Sequence, residues 1–184
     1  MRFMTEIEAK TWWLHQIKAP DNSAVKLPAS CKVMQAIKPT RSFYLFLYTE
    51  IGRHFQWYNR LMMPAKELQE ILLDPLNEFF VLYINGVPGG FAELDVHSDD
   101  QTELVYFGLT PEFTGKGYGK PFLKYVMRHA WKRSISKFWL HTCNLDHPAA
   151  LAFYTKNGFE IYDEDIVHQP IPDANSDPYK KLPW

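Results

Sequence analysis

The sequence predicts an α/β (α+β) fold, with a mixed parallel and antiparallel sheet flanked by helices. Three observations predict it. Apolar runs of strand length recur between turn signals, as in Glu78–Ile84 and Glu103–Leu109. Asn85-Gly86 joins two such runs, which is a strong hairpin signal. After Thr110, segments with helical spacing alternate with strand-like runs.

In chain order, Lys10–Ile17 reads as a short strand, and Ala19–Ser30 as turns punctuated by Pro20 and Pro28. Lys32–Lys38 reads as a strand that stops before Pro39. Phe43, Leu47 and Ile51 recur every four residues, so Ser42–Ile51 is expected to be a helix ending at Gly52, capped by Thr40 or Ser42. Pro64–Leu73 follows as a second helix, with proline where a first turn tolerates it. Glu78–Ile84, Gly90–Val96 and Glu103–Leu109 form an antiparallel meander. Pro121–Arg133 is a helix, Phe138–Cys143 a strand, Pro148–Asn157 a helix closed by Gly158, and Phe159–Tyr162 begins a last strand. Residues 1–32 and the four-proline tail from 163 to 184 carry little period. No repeat is visible, so one domain over residues 1–184 is expected.

At 184 residues the chain can bury its own core without a staple. Its hydrophobic fraction of 46% is ordinary, and a net charge of −1 offers no basic surface for nucleic acid. Two cysteines, Cys31 and Cys143, are too few for a disulfide framework. No leader and no apolar run approaching membrane-spanning length stands out, so a soluble, cytoplasmic protein without a membrane partner is expected. His141 and Cys143 share a strand face, but a metal there would need further ligands, and no metal site is expected.

Two segments carry chemistry. In the first, the strand ending at Leu109 runs into Thr114-Gly115-Lys116-Gly117-Tyr118-Gly119-Lys120, which opens a helix. Glycines let backbone N–H groups approach a ligand, and a helix start favours phosphate. The loop lacks the Gly-Lys-Ser/Thr of nucleotide triphosphatases and follows a meander, unlike a dinucleotide fingerprint. The second segment is Asn144 through Phe159, with His147, Ala150, Tyr154 and Gly158-Phe159 at regular intervals. Together they resemble the GNAT acyltransferase superfamily. The loop is similar to its Arg/Gln-x-x-Gly-x-Gly/Ala motif, and His147–Phe159 to its Asn-x-x-Ala-x-x-x-Tyr-x-x-x-Gly-Phe helix. Thr114 replaces the usual Arg or Gln and removes one side-chain contact to a pyrophosphate. His147 replaces the usual Asn.

The resemblance implies a GNAT-like sheet in which Glu103–Leu109 and Phe138–Cys143 are a splayed parallel pair. It implies acetyl-CoA between them as acyl donor, with the backbone of Phe107, Gly108 and Leu109 along the pantetheine arm. The N–H groups of Thr114, Gly115, Lys116, Gly117, Tyr118, Gly119 and Lys120 would hold the pyrophosphate, with Asn144 and His147 nearby. Tyr154 would protonate the leaving thiolate. Because a free amine is protonated at neutral pH, a base is useful. Glu103 is favoured, on a face expected to be shared with Val105 and Phe107, and Glu93 on the neighbouring strand competes. The two carboxylates could instead bind the substrate's ammonium, face solvent or pair with Lys or Arg. Arg53, Trp57 and Arg60 are candidates for the acceptor wall, where arginines could bind an acidic group. The implied function is N-acetyltransfer to a small-molecule or peptide amine; a homodimer is left open. The alternatives are a non-catalytic CoA-binding module and an enzyme for longer acyl donors.

Overall fold

The structure, a computed structural model, describes residues 4–21, 25–173 and 177–181. The parts of the Ala19–Ser30 turn region and of the tail at residues 22–24, 174–176 and 182–184 lie outside the described residues. The strands are β1 Met4–Gln16, β2 Cys31–Gln35, β3 Asn77–Ile84, β4 Val87–Asp95, β5 Gln101–Leu109, β6 Lys137–Cys143 and β7 Glu160–Pro172. The helices are α1 Arg41–Gly52, α2 Asn59–Met62, α3 Ala65–Leu73, α4 Gly119–Ala130 and α5 Ala150–Lys156. Short 3-10 turns occupy Pro111–Phe113 and Pro178–Lys181.

One seven-stranded sheet has the order β2-β3-β4-β5-β6-β1-β7. All neighbours are antiparallel except β5 and β6. The meander forms as expected, and the β3–β4 hairpin closes at Asn85-Gly86, both with positive φ. Thr40 caps α1, its hydroxyl accepting from the Phe43 N–H at 3.3 Å. Period-two alternation gives each sheet face its own core. Leu94, Leu104, Phe122, Val126, Phe138 and Tyr154 pack under α4 and α5. Tyr44, Leu47, Leu68, Phe79 and Phe91 pack under α1 and α3.

Three features depart from expectation. β1 is thirteen residues long and lies between β6 and β7, so the chain's first strand completes the sheet's last third. β7 continues to Pro172 instead of ending near Tyr162. It is an edge strand, and an edge tolerates Pro170 and Pro172 because their missing N–H groups break no inner ladder. α2 is a single turn without a sequence signal of its own.

Candidate active site

The site begins where β5 and β6 part. Their parallel pairing covers only Gln101, Thr102 and Glu103, opposite Lys137, Phe138 and Trp139. Beyond that point the two strands diverge, and a cleft of about 760 Å³ opens between them. Val105–Leu109 line one arm and His141–Cys143 the other.

A bulge shapes the β5 arm. Tyr106 faces Glu93 and Leu104 faces Leu94, so Val105 is an extra residue. This corrects the expectation that Glu103, Val105 and Phe107 share a face. The bulge resets the alternation, so Leu104 and Phe107 both join the α4/α5 core while Tyr106 joins the aromatic group beneath α1.

The glycine loop closes one end of the cleft, where Thr114, Gly115, Gly117, Gly119 and Lys120 line it. Gly115 and Gly117 have φ of 76° and 86°, and a Cβ at either would meet nothing within 4 Å. The loop is therefore open, with room for a ligand, in a conformation that disfavours side chains. α4 starts at Gly119 with no side-chain cap, as suits an anion at its N-terminus. The Thr114 hydroxyl donates to the carbonyls of Thr110 (3.1 Å) and Leu109 (3.4 Å), so it braces the loop and does not point at a ligand. Lys116 and Tyr118 are absent from the cleft wall, and Tyr118 packs on Phe113.

His147 does part of the work expected of an asparagine. Its Nδ1 accepts from the Ala149 N–H at 3.1 Å, and its carbonyl accepts from the Ala150 N–H at 2.7 Å, which organises the entry to α5. Asn144 is corrected as a ligand contact, because its side chain accepts from the Lys10 N–H at 2.9 Å and is turned to β1. Tyr154 lines the cleft from α5, 8% exposed, among Phe107, Phe153 and Phe159. Burial first, then the charge of Asp146, push its phenol above the ordinary tyrosine range.

The two carboxylates differ. Glu93 is 2% exposed and fully engaged. Arg60 donates to it at 2.5 Å and so does the Tyr44 hydroxyl, while Arg60 Nε donates to Tyr44 at 3.2 Å. Burial opposes the Arg60 charge, but Glu93 outweighs it and keeps the guanidinium firmly protonated. The buried pair explains both residues and corrects two expectations: Glu93 is not a free base, and Arg60 is not a free anion receptor. Glu103 lies at the apex where the strands part, its Oε1 3.6 Å from His141 Nδ1. His141 is half-exposed and lines the cleft. In the sequence His141 reads only as a poor metal-ligand candidate, and its position on a strand that splays from its neighbour is the signal that could have singled it out.

Arg53 is also corrected, since it pairs with Glu50 at 3.3 Å on the surface, away from the cleft. Trp57 lines the cleft, its ring tilted against those of Tyr48 and Tyr106, and its Nε1 donates to Asp146 at 3.2 Å. Asp146 also accepts from the Thr142 hydroxyl and the Cys143 N–H. Burial first, then Asp146, push the Cys143 thiol up, away from the thiolate a nucleophile needs. Among the described residues no helix is long and apolar enough to cross a membrane.

Residues 42–159 match the model of the acetyltransferase (GNAT) family. A mycothiol acetyltransferase of Corynebacterium efficiens is 30% identical over 80 residues, covering 44% of this chain and 27% of that protein. An N-acetyltransferase of Methanocaldococcus jannaschii is 26% identical over 131 residues, covering 67% of this chain and 52% of that protein. The chain thus spans about half or less of these relatives. A GNAT acetyltransferase of Elizabethkingia anophelis, solved with acetyl-CoA bound, superposes with a TM-score of 0.57 at 20% identity, over 74% of this chain and 80% of that one.

Proposed function

The chain belongs to the GNAT acetyltransferase family, and from that premise we propose that it transfers an acetyl group from acetyl-CoA directly to a primary amine. The observation that carries this reading is the parting of β5 and β6 after Glu103, with the open glycine loop at one end of the cleft and Tyr154 in its wall. The residues present fit a pyrophosphate-bearing donor, because Gly115 and Gly117 leave their loop open and α4 begins uncapped beside it.

Acetyl-CoA, when bound, supplies an activated thioester. The β5 backbone from Phe107 to Leu109 has no strand partner on its cleft side and supports the pantetheine arm in place of one. Main-chain N–H groups there polarise the thioester carbonyl. Glu103 at the apex takes the proton that the ammonium must lose. The amine nitrogen then bonds to the carbonyl carbon, the C–S bond breaks, Tyr154 gives its proton to the departing sulfur, and the second proton leaving the nitrogen returns to the Tyr154 phenolate. The phenol is protonated and so can donate, but giving its proton to a thiolate whose thiol has a pKa near ~8.5 is uphill, burial makes it more so, and the transfer needs close contact. The raised Cys143 thiol favours direct transfer over an acyl-cysteine route.

The test is CoA-thiol release with acetyl-CoA and a panel of amines, beside calorimetric titration of acetyl-CoA. Amine-dependent release supports the proposal. Tight acetyl-CoA binding with no release on any amine points to a CoA-binding module, and faster release from longer acyl donors points to a different donor.

A further inference from the structure

The acceptor half of the cleft, on the α1/α3 face of the sheet, has a particular chemistry. Its wall is aromatic and apolar: Tyr48, Trp57 and Tyr106 form a cluster with ring centroids 5.0–5.5 Å apart, and Phe55, Met63 and Pro170 extend it. The charged side chains lining the whole cleft are Arg60, Lys120 and Asp146. Arg60 is neutralised by Glu93, and Asp146 already accepts three hydrogen bonds. Lys120 stands in the first turn of α4, on the donor side. The polar end of the acceptor half is His141, which lines the cleft, with Glu103 behind it at the apex, 3.6 Å from its Nδ1 and outside the lining.

Gln169 and Pro170 of β7 also line the cleft. The C-terminal turn reaches the loop that carries Trp57, where the Tyr179 hydroxyl donates to the Trp57 carbonyl at 2.8 Å and its ring meets Tyr58.

Resting on the acetyl-transfer reading above, we propose that the acceptor is a small primary monoamine carried on an aromatic or apolar body. Its single ammonium meets the Glu103–His141 end, and its body lies against Trp57 and Tyr106, with Tyr48 buried behind them. A polycation would bring several ammonium groups to a wall whose one nearby buried carboxylate, Glu93, is already paired, and each would lose water without a partner. Among the described residues lining this half, an acidic amine would find no uncommitted cation.

The experiment uses the full chain with saturating acetyl-CoA and four probes: 2-phenylethylamine, spermidine, kanamycin and a lysine-containing peptide. Thiol release is expected to give 2-phenylethylamine a kcat/KM on the order of 100-fold above the other three. Equal or better turnover of spermidine, kanamycin or the peptide would overturn the proposal. Calorimetric titration of each probe into the CoA-loaded protein separates this idea from acetyl transfer itself. Binding of 2-phenylethylamine alone, without turnover, sustains the acceptor class and sinks the transfer reading; absence of its binding sinks the acceptor class. Met63→Glu, which places a carboxylate in the apolar wall, is expected to lower kcat/KM for 2-phenylethylamine about tenfold and raise it for spermidine. An unchanged ratio would contradict the assignment of this wall.

Discussion

Tyr154 and the Glu93–Arg60 pair show how one side chain's surroundings decide its work. Tyr154 sits among phenylalanines with its phenol held protonated, so removing the hydroxyl removes the proposed proton donor and little packing. Tyr154→Phe is expected to lower kcat by about 10²-fold or more with acetyl-CoA affinity nearly unchanged. A steady-state profile from pH 6 to 9 is expected to show no falling limb from Tyr154 in the wild type, because its raised pKa lies above that window. Glu93 is a structural carboxylate. Glu93→Gln leaves Arg60 buried without its counter-charge and is expected to cost about 3–5 kcal/mol, read as a lower urea midpoint. A variant of wild-type stability but lost activity would return Glu93 to the chemistry. The sequence marked Tyr154 through its motif spacing, and it marked Glu93 only as a competing carboxylate on the strand beside that of Glu103. It could not show that Arg60, thirty-three residues away, is its partner, because that contact exists only once α1 and α2 pack on the sheet.

At the scale of elements, the glycine loop and the β5 bulge do the positioning. Gly117→Ala keeps open space around the new methyl, so its cost is backbone strain at positive φ plus obstruction of the ligand path. It is expected to lower stability by about 1 kcal/mol and to raise KM for acetyl-CoA about tenfold. A titration of acetyl-CoA beside a urea melt reads both effects, and unchanged affinity would remove the loop from the donor site. The loop, the hairpin and the helices were legible because turn chemistry and helical period are local signals. The bulge at Val105 was not, because an extra residue in a strand is defined by its partner's register, and it misled the face assignment of Glu103. Asn144 and Arg53 are absent from the cleft lining and bonded elsewhere, Asn144 to the Lys10 N–H on a strand distant in sequence and Arg53 to Glu50 one turn earlier.

At the scale of the molecule, β1 and β7 were the least legible parts, though they complete the sheet. They pair with each other along most of their length and lie far apart in sequence, and much of β7 is exposed, so neither shows clean alternation. A second long-range tie joins the sheet to α4. Glu78 accepts from His129 at 2.9 Å and from Arg133 at 2.7 Å. Burial pushes its carboxyl up, but these two bonds outweigh it, and the net shift is down. With the folded pKa below the unfolded one, the tie contributes fully above about pH 4.5 and is lost as pH falls below it. Urea midpoints measured from pH 7 to 3 are expected to drop over that acidic range, and Glu78→Gln is expected to flatten the drop. Every step proposed for the site requires the donor to lie between the parted strands β5 and β6. A crystal structure with CoA bound tests that most directly. The account predicts the pyrophosphate at Gly115–Lys120 and the sulfur within about 3 Å of the Tyr154 hydroxyl. CoA bound elsewhere, or a sulfur remote from Tyr154, would contradict it.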